Sequence, residues 1–322
     1  MSTATAIAHP NIALVKYWGK RDSVLNLPAT GSLSMTLDIF PTTTTVSLDE
    51  TATGDVLVFN GDERVDGPAE RVSRFLDIVR ELAGSSVAAR VDTVNTVPSA
   101  AGLASSASGF AALAVAAARA YGLDLDTRAL SRLARRGSGS ASRSVIPGFA
   151  IWHAGDSDET SFAEPVDAPD LAMVVAMVEK REKPVSSREA MRRTVLTSPF
   201  YPAWVSSTAE SLEAAAEACR AGDVERLGRI TEVNALRMHA LIQSCDPPIR
   251  YLSPVSVEIF DRVAALREAG VEAWATADAG PNVVVLTRPD AVSAVTASLD
   301  GLAELAVARP GPAAALVTRA GE

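Results

Sequence analysis

The sequence predicts an α+β fold organised in two domains. Strand and helix patterns mix along the 322 residues without the regular alternation of a doubly wound sheet. Short β segments dominate the first half, and helical patterns dominate the second. A charged stretch containing Pro184 follows a predicted buried strand, so we place the boundary there, between domains of residues 1–182 and 183–322. A chain of this length can bury a large core without disulfides or metals.

Strands are predicted where β-branched residues cluster between Gly, Pro and Asp. The segments TTTTVSL (42–48) and VLVFN (56–60) are typical of a hairpin or meander, and Asn60-Gly61-Asp62 supplies turn residues. The apolar segment that follows Asn11 is also predicted as a strand. The remaining predicted strands cover residues 87–97, 171–178, 272–276 and 282–287, with a closing strand at 313–318.

Helices are predicted where apolar residues recur about every 3.6 positions. Residues 70–83 show this period and end at Gly84. Residues 104–121 are alanine-rich and apolar on every face, which is typical of a helix buried in a core. The other predicted helices cover residues 127–136, 189–196, 203–221, 223–244, 255–269 and 290–299.

Charge and composition exclude several classes of function. Lys and Arg total 30 against 39 Asp and Glu, a net charge of -9, so the overall field repels nucleic acid and anionic lipid. An anionic substrate would therefore need a local cluster of cations and N–H donors. Cys219 and Cys245 cannot form a disulfide framework, and none of the 3 His has a partner at metal-ligand spacing. Without a signal peptide or an apolar run of membrane-spanning length, we expect a soluble, cytoplasmic protein.

A Gly/Ser loop, PSAAGLASSASG (98–109), precedes the apolar helix. Exposed N–H groups and the positive dipole end of a helix suit a phosphate there, although small residues also suit a close-packed helix start. The loop lacks the Gly-Lys-Ser/Thr of a Walker A sequence. Ser105 and Ser106 add hydroxyl donors, or a ligand for a cation bound to the phosphate.

Cations occur in two further polar segments. GSGSASRS (137–144) holds Arg143 among hydroxyls, where a guanidinium can clamp a phosphate or carboxylate, or simply lie in a solvated linker. NIALVKYWGKRD (11–22) places Lys16 in apolar surroundings, where an ammonium needs a carboxylate or phosphate beside it, and it also contains Lys20. A strand edge with solvated lysines is the alternative interpretation.

Two later segments also carry candidate site residues. Asp278 lies in TADAGPN between two predicted strands, where it either closes a turn or is held as a general base. Ser187 and Arg188 open the predicted helix in VSSREAM and either contact an anion or serve as a helix cap and a solvated cation.

Taken in order, these segments resemble a known family. PSAAGLASSASGFAAL is similar to the phosphate loop of the GHMP kinase superfamily. The further segments NIALVKYWGKRD, LNLPATGSLS, ARRGSGSASRS, VSSREAM and ADAGPN resemble the diphosphomevalonate decarboxylases over about residues 8–286. The resemblance implies an N-terminal domain like the second domain of ribosomal protein S5, a ferredoxin-like C-terminal domain and a homodimer.

The resemblance also implies a reaction, which is the ATP- and Mg²⁺-dependent decarboxylation of (R)-5-diphosphomevalonate to isopentenyl diphosphate, ADP, phosphate and CO₂. It implies that Asp278 is the catalytic base beside Lys16, that Arg143 binds the substrate carboxylate, and that Asn26 helps to orient Arg143 or that carboxylate. It assigns the substrate diphosphate to Tyr17, Lys20, Ser140, Ser187 and Arg188, with Ser138 assisting from the loop that holds Arg143. It assigns the ATP phosphates to Pro98, Ala101, Gly102, Leu103, Ala104, Ser105 and Ser106, and magnesium to Ser106. His239 also lies in a matching segment, but we expect it to be a packing residue on a helix.

Two other functions remain open from the sequence. A phosphomevalonate decarboxylase or a mevalonate 3-kinase of the same fold would differ in the diphosphate pocket or lack part of the Asp, Lys and Arg set. A non-catalytic ligand sensor of this fold should have lost the base or the phosphate loop. All of these parts are present, so a catalyst acting on a doubly phosphorylated substrate is favoured.

Overall fold

The computed structural model of the protein describes residues 2–96, 105–178 and 185–317, with Ser105 described by its backbone alone. Within these ranges, no helix has the length and apolar character needed to cross a membrane. The predicted domain boundary falls at residues 182 and 183, outside the described residues, and it stays a prediction.

The first half of the chain is built mainly from strands, with four helices. Its strands, in chain order, are β1 (Thr3–Ala8), β2 (Asn11–Val15), β3 (Lys20–Asp22), β4 (Leu27–Pro28), β5 (Ser32–Thr36), β6 (Thr42–Asp49), β7 (Val56–Phe59), β8 (Asp62–Arg64), β9 (Ala88–Asn95), β10 (Phe149–Trp152), β11 (Ala163–Pro165) and β12 (Ala172–Met177). Its helices are α1 (Gly67–Ala83), α2 (Ser105–Ala120), α3 (Thr127–Gly137) and α4 (Ala141–Ser144).

The second half is mainly helical. Its helices are α5 (Ser187–Thr197), α6 (Tyr201–Ala221), α7 (Val224–Gln243), α8 (Pro254–Glu268) and α9 (Val292–Leu299), and a 3₁₀ turn spans Pro289–Ala291. Its strands are β13 (Ala273–Ala277), β14 (Val283–Thr287), β15 (Glu304–Ala308) and β16 (Ala315–Leu316).

A six-stranded sheet in the order β16-β1-β6-β9-β7-β8 carries the first core. All its pairings are antiparallel except β7 with β9. Helix α2 packs across this sheet beside α1, and its alanines are almost completely buried. The small side chains let the helix approach the strands closely, which confirms the prediction of a core helix made from its uniformly apolar sequence.

A second sheet, in the order β11-β10-β5-β2, carries the segment that ends at Lys16. Its strands β2 and β5 share one apolar cluster with α6, α7 and the C-terminal sheet, which contains Leu14, Leu33, Leu227 and Trp274. The two halves of the chain therefore share a common apolar core.

The C-terminal sheet, in the antiparallel order β13-β14-β12-β15, lies between two helical layers. Along β12, Met173 and Val175 face the cluster with α6 and α7, while Val174 and Ala176 face α8 and α9. Both faces of β12 are buried, so its sequence is an apolar run instead of an alternating pattern. Strand β12 precedes the predicted domain boundary and pairs with strands that follow it.

The structure confirms the α+β class and most of the predicted elements. The predicted helix at 290–299 begins as the 3₁₀ turn, and the predicted closing strand at 313–318 is the short β16, paired with β1. The strands that sequence analysis missed are β1, β3, β4, β5, β8, β10, β11 and β15, and the missed helix is α4. Most of these are short, and they form because distant segments pair with them, which local propensity does not register.

Helix α7 packs so closely on the C-terminal sheet that one of its positions requires glycine. A Cβ on Gly228 would lie 2.0 Å from the Trp274 ring. We expect Gly228→Ala to lower the free energy of unfolding by about 1–3 kcal/mol, because the buried indole cannot move aside. Urea unfolding measures this change.

Gly109 in α2 is the matched control, because a Cβ there meets no atom within 4 Å from the described residues outside its own stretch of helix. Gly109→Ala should raise the free energy of unfolding by about 0.5–1 kcal/mol through helix propensity. A Gly228→Ala protein as stable as the wild type would show that α7 and Trp274 do not pack in this way.

Candidate active site

A buried ion pair joins the two halves of the chain. Lys16 directly follows β2, and its Nζ lies 2.7 Å from Oδ1 of Asp278, which directly follows β13. The Lys16 side chain is 1% exposed and that of Asp278 is 31% exposed, so the ammonium is enclosed while the carboxylate is partly accessible to solvent. Lys16 Nζ also donates to the Ala13 carbonyl at 2.7 Å. Burial lowers the pKa of Lys16, and the charge of Asp278 opposes this shift.

The backbone closes the turn after Asp278, and the Asp278 carboxylate pairs with Lys16. The Asp278 carbonyl accepts a hydrogen bond from the Gly280 N–H at 2.7 Å, so the backbone closes the turn itself. The sequence had left open whether the Asp278 side chain would close the turn or extend as a base. The structure shows the side chain directed to Lys16.

Arg143 lies close to this pair, on the short helix α4. Its Nε and Nη2 donate to Asn11 Oδ1 at 3.2 and 3.0 Å, and its Nη1 donates to Ser32 Oγ at 2.5 Å. Burial lowers the pKa of Arg143 to about 10, and the charge of Asp278 opposes this shift. Neutral oxygens orient the guanidinium without cancelling its charge, so that charge remains available to an anionic ligand.

Asn26 donates to a backbone carbonyl, and its predicted role toward the substrate carboxylate stays a prediction. Its Nδ2 donates to the Arg135 carbonyl at 2.7 Å, and Asn11 and Ser32 hold Arg143. Its buried Oδ1 has no hydrogen-bond partner in the described part of the chain. Asn26 is one of the residues that line a cationic cavity.

The Tyr17 ring packs beside the GSGSASRS segment (137–144). It packs edge-on against Trp152 with 4.8 Å between centroids, and a Cβ on Gly139 would lie 2.9 Å from both rings. The Tyr17 hydroxyl is buried and has no partner among the residues that are described. Burial raises the pKa of Tyr17, so the hydroxyl is a neutral donor at physiological pH.

A cavity of about 610 Å³ lies between α1, α5 and the Lys20 region. The described residues that line it include six cationic side chains and none that is acidic, in a protein whose net charge is -9. The cations are Lys20, Arg71, Arg74, Arg136, Arg188 and Arg192. Such a concentration of positive charge predicts a multiply charged anion as the ligand.

The pKa values of Lys20 and Arg71 are lowered by burial and by the neighbouring cations. Burial, followed by the charges of Arg188 and Arg71, lowers the pKa of Lys20 to about 8. Burial, with Arg188 and Arg74, lowers the pKa of Arg71 to about 10. Sequence analysis missed Arg71 because it lies within the helical pattern at 70–83, and only the packing of α1 opposite α5 makes it part of the cavity.

The structure places the other predicted contacts as follows. Ser138 ends α3, and Ser140 precedes α4 and accepts from Asn11 Nδ2 at 3.0 Å through its carbonyl. Ser187 is the first residue of α5, and Arg188 follows it into the cavity. The cap of α5 is Ser186, whose Oγ accepts from the Glu189 N–H at 3.2 Å, so Ser187 is not the capping residue.

The predicted phosphate loop lies mostly outside the described residues. Pro98, Ala101, Gly102, Leu103 and Ala104 are among those not described, as is the side chain of Ser105. Ser106 is exposed in the first turn of α2, where no acidic residue occurs. A helix start with this charge pattern is compatible with phosphate oxygens.

Two family models match successive parts of the chain. Residues 8–163 match the diphosphomevalonate decarboxylase-like N-terminal domain, and residues 173–308 match the mevalonate 5-diphosphate decarboxylase C-terminal domain. Together they cover most of the sequence. The chain belongs to the diphosphomevalonate decarboxylase family. This result confirms the resemblance that the sequence segments had suggested.

Comparisons with individual members of the diphosphomevalonate decarboxylase family agree. The chain is 36% identical to the human diphosphomevalonate decarboxylase, over 93% of this chain and 80% of the human protein. It is 36% identical to the Ganoderma lucidum protein of the same name, over 91% of this chain and 80% of that protein.

Solved structures of the family share the fold of this chain. Mevalonate diphosphate decarboxylase from Staphylococcus aureus superposes with a TM-score of 0.95 at 40% identity, covering 98% of both chains. A structure described as MDDEF in complex with MVAPP, AMPPCP and magnesium gives a TM-score of 0.94 at 45% identity, covering 99% of both chains. These matches confirm the GHMP fold expected from the resemblance.

The lowered pKa of Lys20 predicts pH-dependent anion binding. A Lys with a pKa near 8 loses its charge as the pH rises through that value, so affinity for pyrophosphate should be present below pH 8 and decline above it. If only the charged form binds, affinity relative to a fixed cation falls by about tenfold between pH 7 and 9. Isothermal titration calorimetry measures the affinities.

Lys20→Arg provides the fixed cation, since a guanidinium stays charged over this range. At any given pH, pyrophosphate has the same ionisation state in both titrations. The ratio of the two affinities therefore reports the ionisation of Lys20 alone. A ratio that is constant from pH 7 to 9 would show that Lys20 does not titrate near 8 or does not contact the anion.

Proposed function

We propose that this protein catalyses the ATP-dependent decarboxylation of (R)-5-diphosphomevalonate to isopentenyl diphosphate, ADP, phosphate and CO₂. The observation that carries the proposal is the contact of Asp278 with the buried Lys16 at 2.7 Å, near enough to Arg143 for the charge of Asp278 to affect the pKa of that guanidinium. The family membership and the cationic cavity support it. The related structure in complex with MVAPP, AMPPCP and magnesium supports the substrate, ATP and Mg²⁺.

The chemistry of the substrate explains why a base, a cation clamp and ATP are needed together. The tertiary C3 hydroxyl is a poor leaving group, and bound ATP would supply the phosphoryl group that makes it a good one. When that phosphate departs with its electron pair, the electrons of the bond to the carboxylate form the alkene and CO₂ is released. The protein therefore contributes mainly by positioning and electrostatics.

Three side chains would perform these tasks in the proposed reaction. Asp278 accepts the proton of the C3 hydroxyl, and the Lys16 ammonium keeps the Asp278 carboxylate ionised until it does so. Arg143, fixed by Asn11 and Ser32, binds the substrate carboxylate through a planar fork. Because these partners orient the guanidinium before substrate arrives, little reorganisation is needed on binding.

The diphosphate would occupy the cationic cavity. Lys20 and Arg188 line it, as does Arg71, which we add to the contacts expected from the sequence. The Tyr17 hydroxyl has no internal partner in the described ranges, so it can donate to a phosphate oxygen. Ser140 and Ser187 complete the predicted set.

The nucleotide would lie along the predicted loop at the start of α2. Its phosphates meet the segment from Gly102 to Ser106, and Ser106 is the proposed protein ligand of magnesium. Within the described ranges, no three His, Cys, Asp or Glu side chains form a group that could hold a metal ion. Nucleotide oxygens would therefore supply most of the magnesium ligands, which is typical for this ion.

We also propose that the protein is a cytoplasmic homodimer with its domain boundary near residues 182 and 183. The family resemblance supports the dimer, and the two successive family models support a division into two domains. Light scattering coupled to size-exclusion chromatography tests the dimer through the mass of the particle.

The substrate assignment predicts a preference that one assay can measure. With mevalonate, its 5-phosphate and its 5-diphosphate supplied separately with Mg-ATP, we expect CO₂ release to be fastest with the diphosphate. Mevalonate itself carries no phosphate group that the six cations of the cavity could bind. Faster turnover of the monophosphate or of mevalonate would favour a sibling activity, and ligand binding without turnover would favour a sensor.

The role of Asp278 predicts a separation of binding from chemistry. Asp278→Asn removes the proton acceptor with little change of volume, so kcat should fall by about 10²- to 10⁴-fold. Binding of ATP and diphosphomevalonate, measured by calorimetry, should change by only a few fold. A near-normal kcat in this variant would refute the assignment of Asp278 as the base.

A further inference from the structure

Helix α7 contacts both strands that lead into the Lys16–Asp278 pair. It packs against β2, which ends just before Lys16, and against β13, which ends just before Asp278. The two strands belong to different sheets. The helix therefore lies between the two backbone segments that must be held in register for the ion pair to form.

Asn234 in the middle of α7 fixes the Lys16 backbone. Its Oδ1 accepts a hydrogen bond from the Lys16 N–H at 2.7 Å, between groups that are buried and separated by 218 residues. Its Nδ2 lies 3.4 Å from Thr208 Oγ1 on α6, which orients the amide. This bond sets where the Lys16 side chain begins.

His239, five positions further along α7, fixes the other segment. Its Nε2 lies 3.3 Å from the carbonyl oxygen of Ala277, the residue before Asp278. A carbonyl only accepts, so the imidazole carries its proton on Nε2 and donates. The side chain is 3% exposed, and nothing in the proposed chemistry uses it as an acid or base.

The protonation state of His239 suits its position beside Lys16 and Asp278. Burial lowers its pKa to about 4, and the charge of Lys16 acts in the same direction, while the Ala277 carbonyl and Asp278 oppose the shift. The imidazole is consequently neutral at physiological pH. It can hold the Ala277 carbonyl without adding a second positive charge beside Lys16 that would compete for Asp278.

We propose that Asn234 and His239 are positioning residues that set the geometry of the Lys16–Asp278 pair. Asn234 holds the backbone at Lys16, and His239 holds the backbone just before Asp278, both from the same helix. A helix rises about 1.5 Å per residue, so the backbone positions of these two residues are offset by about 7.5 Å along the helix axis. Catalytic groups lose rate when displaced by fractions of an ångström, which gives this offset a functional consequence. The inference rests on the proposed decarboxylation.

Two substitutions of His239 test the donor without placing an apolar group in a polar site. His239→Gln puts an amide N–H near the place of Nε2, while His239→Asn puts one near Nδ1, too far from Ala277. We expect kcat to fall by about tenfold in His239→Asn and to stay within about threefold of the wild type in His239→Gln. The KM values for both substrates should change less than threefold in either.

Crystal structures of the two variants provide a readout that does not depend on turnover. The distance from Lys16 Nζ to Asp278 Oδ1 should remain near 2.7 Å in His239→Gln and lengthen in His239→Asn. This readout separates the inference from the proposed function, whose own test is the substrate comparison with the wild-type protein.

Thr231→Val is the matched control on the same helix. Thr231 is buried, and its Oγ1 has no hydrogen-bond partner among the described residues, so this variant should keep the wild-type kcat. Equal kcat values and an unchanged ion-pair distance in His239→Gln and His239→Asn, with only the melting temperature reduced, would overturn the proposal. That result would make His239 a packing residue.

Discussion

The site depends on a buried ammonium that requires an anion. Lys16 is almost fully enclosed, and burying an unpaired charge costs several kcal/mol, so its Nζ needs the Ala13 carbonyl and the Asp278 carboxylate to offset the loss of water. Asp278 comes from the other half of the chain, and only the complete fold can supply it. The Asp278 side chain is 31% exposed, so the carboxylate remains partly accessible to solvent in this pairing.

This requirement explains why the two halves share an apolar core. Strands β2 and β5 pack against α6 and α7 in the same cluster as Trp274 of β13, so the end of β2 and the end of β13 are held at a fixed distance. The closeness of α7 to Trp274 leaves no space for a Cβ at Gly228. A well-packed core resists small displacements, and the ion pair inherits that rigidity.

The sequence was informative wherever a local pattern carried the structure. The alanine-rich helix, the apolar run of β12 and the Asp278 turn all follow from residue type and spacing, and the family resemblance added the roles of Lys16 and Arg143. Contacts that arise only from packing were not accessible. Arg71 lies within an ordinary helical pattern, Asn234 and His239 lie on a helix buried on more than one side, and Asn11 holds Arg143 across 132 residues of chain. No periodicity reports such pairs.

The cationic cavity and the ion pair both bury positive charge, but they differ in where the counter-charge comes from. At Lys16 the protein provides the counter-charge itself, so the site is stable before any ligand arrives. Around Lys20 the lining provides six cations and no carboxylate, and three of the six, Arg74, Arg136 and Arg192, pair with acidic residues outside the lining. Burial together with the charges of Arg188 and Arg71 lowers the pKa of Lys20 to about 8. A bound diphosphate would remove that repulsion, so part of its binding energy would come from relieving strain between cations. In a protein of net charge -9, this local excess selects an anion that the overall field repels.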